Sequence, residues 1–200
     1  MLEGGQRRVT LRLARKFKTV YGLSPTSLPT PYLFEPRADV NNGEFAKMVS
    51  ALGYPGFAYM KVRVRERNPA EVLVEALKQD SLESRLVEAL PWLVVNYWDM
   101  EKRWLVRNAK LNDLQNRLGF VVTLAKQVSE RSDHVSEDRN RALEELGRTL
   151  EESRLVREDT FLKQMNTDVE REWLRRNRSE EAKHWNLLTN WRPEHLPYAP

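Results

Sequence analysis

Residues 68–128 run NPAEVLVEALKQDSLESRLVEALPWLVVNYWDMEKRWLVRNAKLNDLQNRLGFVVTLAKQV. This stretch carries the densest apolar pattern in the chain and three of its six tryptophans. Helix starts recur along it. Asn68-Pro69-Ala70-Glu71 sets a capping side chain, a proline at the first helical position and a glutamate able to reach back to the cap. Val72, Leu73, Ala76 and Leu77 then follow at helical spacing. Asp80-Ser81-Leu82-Glu83 repeats the capping logic ahead of Leu86, Val87 and Leu90, and Pro91 either kinks that helix or starts a new one. Trp92 to Trp98 is apolar nearly all round, the signature of deep burial. Asp99 is placed to cap a helix bearing Trp104 and Leu105. Asn112-Asp113 is placed to cap another bearing Leu118, Val121, Val122 and Ala125.

Consecutive short capped helices predict an all-α fold of stacked helical hairpins. Leu86, Leu90, Trp92, Trp98, Trp104, Leu118 and Val122 are expected in the core. A proline-rich arm precedes this centre and a helical extension follows it. The expected division is residues 1–36 as basic helix and arm, 37–130 as central helical core, and 131–200 as C-terminal extension.

The N-terminal side of the chain is basic. Residues 1–65 hold 11 Lys/Arg against 4 Asp/Glu, while the remainder is nearly balanced, so the net charge of +4 arises in the first third. Val9, Leu13, Phe17, Val20 and Tyr21 lie at helical spacing, with Gly22 as the stop. Arg8, Arg12, Arg15 and Lys16 on this helix are the candidate nucleic-acid contacts, since each phosphate neutralised releases counterions. The competing reading docks the helix through Leu13, Phe17 and Tyr21 and leaves its basic face in solvent. Pro25, Pro29, Pro31 and Pro36 make the next stretch a stiff connector or a wrapped arm. Asn42-Gly43-Glu44 opens a short helix ended by Gly53, an aromatic turn follows, and Val62 and Val64 alternate with arginines as in a short strand.

Beyond Val128 the polar stretch Ser129–Asn140 is the candidate hinge. Leu143, Leu146 and Leu150 form a single narrow seam on an otherwise charged helix. Thr167-Asp168-Val169-Glu170 is a capping box, and Ser179 is placed to start a last helix.

The chain has no cysteine, which excludes a disulfide scaffold, a thiol nucleophile and a cysteine zinc site and favours a cytoplasmic setting. No apolar run approaches the roughly 20 residues needed to cross a bilayer, and no membrane association is expected. Dinucleotide, Walker, HExxH and GxSxG signatures are missing. Glu181 and His184 form a lone E-x-x-H, half of what a di-iron bundle requires, so no metal or cofactor is implied.

Arg178 and His184, with five residues between them, are similar to the short Arg/His signature of HEPN-type ribonucleases. That resemblance implies His184 as general base for a ribose hydroxyl and Arg178 as the phosphate holder. Leu114–Gly119 looks like the first half of a helix-turn-helix, but the following residues read better as one continuous core helix. Leu13–Lys18 followed by Tyr21–Pro29 resembles the closing helix and proline-bearing exit of Xre-class bacterial regulators and antitoxins. The resemblance implies an interaction module with a protein partner. The chain is therefore read as a non-enzymatic, antitoxin-like interaction or regulatory protein. The alternatives are a HEPN-like ribonuclease using Arg178 and His184, and a helical scaffold binding nucleic acid through its N-terminal helix.

Overall fold

A computed structural model describes residues 10–60, 64–131, 136–164, 167–192, 194 and 196. The fold is all-α. Helices α1 (Leu11–Tyr21), α2 (Asn42–Ala51) and α3 (Pro69–Leu77) are followed by α4 (Ser84–Asn96), α5 (Lys102–Leu111) and α6 (Gln115–Glu130). Then come α7 (Glu137–Glu151), α8 (Asp168–Asn177) and α9 (Glu180–His184). The one sheet among the described residues is a two-residue parallel pair, β1 (Asp159–Thr160) with β2 (Leu187–Leu188), which the sequence did not suggest.

Local chemistry explains many of the helix ends. Asn68 caps α3 by accepting the Ala70 N–H at 2.9 Å. Thr167 accepts from Glu170 to start α8, and Ser179 accepts from Ala182 to start α9. Gly22, at φ 62°, closes α1 in the left-handed conformation that a side chain would strain. Helix α4 runs through Pro91 without breaking, because the flanking apolar residues are buried on every side.

Three expected caps are displaced. Asp80 does not start α4. The Leu82 N–H is held by the Leu162 carbonyl at 3.0 Å, and the helix begins only after Glu83. Asp99 accepts a hydrogen bond from Thr26 Oγ1 at 2.7 Å, so α5 starts from Glu101 instead. Asp113 sits at φ 58° and pairs with Arg157 at 3.2 Å, leaving Leu114 as the first residue of the α6 cap. Glu71 likewise pairs with Arg67 at 3.3 Å.

One continuous apolar cluster extends from Val40 to Leu187, with α4 and α6 at its centre. Helix α6 is a single helix, and Gln115, Asn116 and Arg117, the polar residues of the rejected helix-turn-helix, are buried in it. Ser129 with Asn140, Lys126 with Glu144 and Val122 with Gly147 approach in succession, so α7 returns antiparallel along α6. Leu143, Leu146 and Leu150 thereby join the central core. Arg117 ties the C-terminal segment to this centre. Its guanidinium donates to Asp159 at 2.9 and 3.3 Å and to the carbonyls of Leu77 and Gln79, both at 2.9 Å. This satisfies most donors of a buried charge, which would otherwise be very costly.

Trp185 docks the last helix. Its ring lies against Gly119, and its indole N–H donates to Thr123 Oγ1 at 2.9 Å. Of the seven expected core residues, six are buried; Trp98 is 39% exposed. It falls after the end of α4 and its cap Tyr97, where helical spacing no longer dictates its direction. Val64 lies outside any strand, and Val62 lies outside the described residues.

Candidate functional site

Arg178 caps the C-terminal end of α8, and His184 is the last residue of the short helix α9. Arg178 is mostly buried and donates to Glu158 at 3.4 Å and to the Leu187 carbonyl at 3.2 Å. Its cleft also contains Gln127, Arg131 and Arg192. His184 is half exposed, with Nε2 2.6 Å from Glu151 and its ring edge-on to Trp185. It lines a different cleft, shared with Lys126, Gly147 and Arg148. Arg154 donates to the His184 carbonyl. Arg178 thus closes the fold around β2, while His184 joins α9 to the end of α7. Arg178 is engaged by Glu158 and His184 by Glu151, with no hydrogen bond between the two side chains among the described residues.

The basic N-terminal helix is also divided. Arg8 lies outside the described residues. Arg12 and Lys16 face solvent, but Arg15 turns inward, its Nη2 donating to the Glu66 carbonyl at 3.3 Å. Lys18 joins it there with a 2.5 Å contact to the Glu66 carboxylate. Two of the cations on α1 therefore attach the helix to the body. No side chain of α1 is fully buried; Leu13 and Phe17 are half-buried, and Tyr21 is exposed, contrary to the docking expected of it.

The proline-rich segment is a wrapped arm. Asn68 Nδ2 donates to the carbonyls of Thr26 and Leu28, Trp104 Nε1 donates to the Pro31 carbonyl at 2.8 Å, and Phe34 packs on the Trp104 ring. Further on, Gln79 holds the Val40 N–H and the Arg37 carbonyl. Glu75 lies under this arm between Arg37, 2.9 Å away, and Arg67. Burial works to raise its carboxyl, but hydrogen bonds and charge from the two guanidiniums outweigh that and hold it below the usual range. Burial dominates at Glu71 and pushes its carboxyl up despite Arg67. Burial also pushes the Tyr97 hydroxyl up to about 12, where it donates to the Leu52 carbonyl at 2.6 Å. All three groups brace the fold. Among the described residues, no group of three or more acids and histidines is arranged to hold a metal.

Two surface features stand out on either side of α5. The first is a cleft of about 200 Å³ between α4, α5 and α7, with Val94, Trp98, Met100, Leu105, Leu143 and Leu146 as its apolar lining. Asp99 and the 2.9 Å Lys102–Glu145 pair stand at its edge. The Lys102 hydrogen bond holds the Glu145 carboxyl below its usual range. The second is the outward face of α5, with Arg103, Arg107 and Lys110 beside the exposed Leu111. Sequence reading passed over both. The cleft depends on the turn at Trp98, which no periodicity describes. The α5 face was legible: residues 102–111, KRWLVRNAKL, hold four cations and no acid.

No family model, curated protein or solved structure matches the chain.

Proposed function

We propose that the chain is a non-enzymatic interaction module that seats an apolar side chain of a protein partner in the cleft beside Trp98. The observation that carries this reading is Trp98 itself, 39% exposed at the edge of an otherwise buried apolar cluster. A half-exposed tryptophan over an apolar slot is the kind of anchor that dominates protein interfaces. The cleft, about 200 Å³, is smaller than the roughly 300–1,000 Å³ of small-molecule sites, and suits one large side chain of a docked helix or loop. Asp99 and the Lys102–Glu145 pair supply the polar rim such interfaces carry. No helix of the described chain is long and apolar enough to cross a membrane. A cytoplasmic regulator or antitoxin-like protein, the class that the N-terminal resemblance implies, fits this reading.

The test is a photo-crosslinking amino acid placed at position 98 in the organism of origin, with position 156 as control because Val156 is 93% exposed and does not line the cleft. A partner captured from position 98 alone, whose purified complex weakens at least tenfold with Trp98→Ala, supports the proposal. Equal capture at both positions, or a complex indifferent to Trp98→Ala, overturns it.

A further inference from the structure

Tyr32 is displayed to solvent by a rigid frame. The preceding Pro31 carbonyl is held by the Trp104 indole at 2.8 Å, and Phe34, two residues on, packs against the same indole with centroids 5.2 Å apart. Between these anchors Tyr32 and Leu33 are each 78% exposed. An aromatic ring fixed in place yet left in water has lost conformational freedom without gaining burial in its own chain. One face of the ring is covered by the Arg107 guanidinium, 4.2 Å from the centroid, and the exposure leaves the other face open.

Arg107 belongs to a line of cations. Arg103, Arg107 and Lys110 follow one another at spacings of four and three residues, so they share one face of α5. That line spans about 10 Å of helix, comparable to about three stacked nucleotide steps of 3.4 Å. Among the described residues Arg103 and Lys110 form no ion pair, whereas Lys102 is engaged by Glu145. The acids nearest the helix in sequence are Asp99, Glu101 and Asp113; Asp99 is engaged by Thr26 and Asp113 by Arg157. An acidic peptide would answer the charge but would have no particular use for an open, arginine-backed ring. A nucleotide uses both: its base stacks on an aromatic face and its phosphate is drawn to guanidinium and ammonium groups.

We propose that the outer face of α5 and Tyr32 form a binding site for single-stranded nucleic acid, with a base stacked on Tyr32 and the phosphates held by Arg103, Arg107 and Lys110. This surface is separate from the Trp98 cleft, and its contacts are with backbone charge and base faces, so it reads strand character and not sequence. Duplex DNA, whose bases are already stacked, binds only through its phosphates.

The test measures fluorescence anisotropy of labelled oligo(U) and oligo(dT), each of about twelve nucleotides, against the full chain. The expected log–log salt slope is about −2, from three phosphates at about 0.7 each. Tyr32→Ala weakens binding about tenfold while Tyr32→Phe, which keeps the ring, stays within about twofold. Arg103→Ala/Lys110→Ala reduces the magnitude of the slope to about 0.7. Trp98→Ala leaves oligonucleotide affinity unchanged, which separates this proposal from the protein-docking one. Circular dichroism of each variant checks that the fold persists. Absence of binding to either oligonucleotide, equal binding of Tyr32→Ala, or loss confined to Arg12→Ala/Lys16→Ala on α1 would each overturn the proposal. Displacement of the oligonucleotide by polyglutamate at equal charge would also overturn it, by marking the face as an acidic-protein surface.

Discussion

Gly119→Ala offers a test of how the C-terminal helix is held, because two physical effects of opposite sign meet there. Gly119 lies in the interior of α6, where alanine is favoured over glycine by about 1 kcal/mol. On propensity alone the substitution should stabilise the protein. A Cβ at this position would, however, stand 2.4 Å from Cη2 and Cζ3 of Trp185, inside any tolerable contact. The indole is rigid and buried and cannot swing aside. Overpacking of this kind costs about 1–3 kcal/mol. Lifting the ring also breaks the Trp185–Thr123 hydrogen bond, which contributes about 1 kcal/mol. After the propensity gain, the net expectation is a loss of about 1–3 kcal/mol. Trp185→Ala alone should cost about 3–5 kcal/mol. In that background the obstacle is gone, and Gly119→Ala should turn stabilising by up to about 1 kcal/mol. Urea unfolding followed by circular dichroism, with all four members of the cycle compared at equal slope, reads the sign reversal. A stabilising Gly119→Ala in the otherwise wild-type chain would refute the packing described.

Two further predictions concern the arm and the core. The Glu75 carboxyl is depressed below its ordinary value of 4.5, so the stability it contributes is complete above that pH and is lost as pH falls through the lower folded-state value. Glu75→Gln should therefore lower stability at neutral pH and flatten the acid limb of a stability–pH profile; an unchanged limb would contradict the Arg37–Glu75–Arg67 arrangement. Trp104→Ala, which removes a buried ring and the hydrogen bond that holds Pro31, should cost about 3–5 kcal/mol, whereas Trp98→Ala, at the surface, should cost under about 2 kcal/mol in the same urea titration.

The sequence was legible where a side chain acts on its own neighbourhood. Asn68, Thr167 and Ser179 each bond a backbone N–H two or three residues ahead, and Gly22 relieves strain within its own turn. These are short-range facts, present in any chain carrying those residues in that order. The displaced caps fail for one shared reason. Leu82 is claimed by Leu162, Asp99 by Thr26 and Asp113 by Arg157, all distant in sequence. Helical spacing correctly placed Leu86, Leu90 and Val122 in the core, and misplaced Trp98 because the helix ends before it. The pair Arg178 and His184 matched a spacing, yet Arg178 caps the end of α8 while His184 ends α9, and each is engaged by a different carboxylate. The cationic face of α5 was readable but was averaged away when charge was counted over long blocks.

The parallel pairing of β1 with β2 has a consequence for synthesis on the ribosome. A parallel partner cannot arrive by a tight turn, and here α8 and α9 must be made between the two strands. At roughly 5–20 residues per second, the earlier strand waits on the order of seconds for the later one. Throughout that interval the Gly119–Thr123 face of α6 lacks Trp185, and the apolar surface destined for Leu187 and Leu188 is open to water. The nascent chain thus passes through a stage in which its largest helix shows an unfilled groove. A translational pause between α8 and β2 would lengthen that stage and invite chaperone capture.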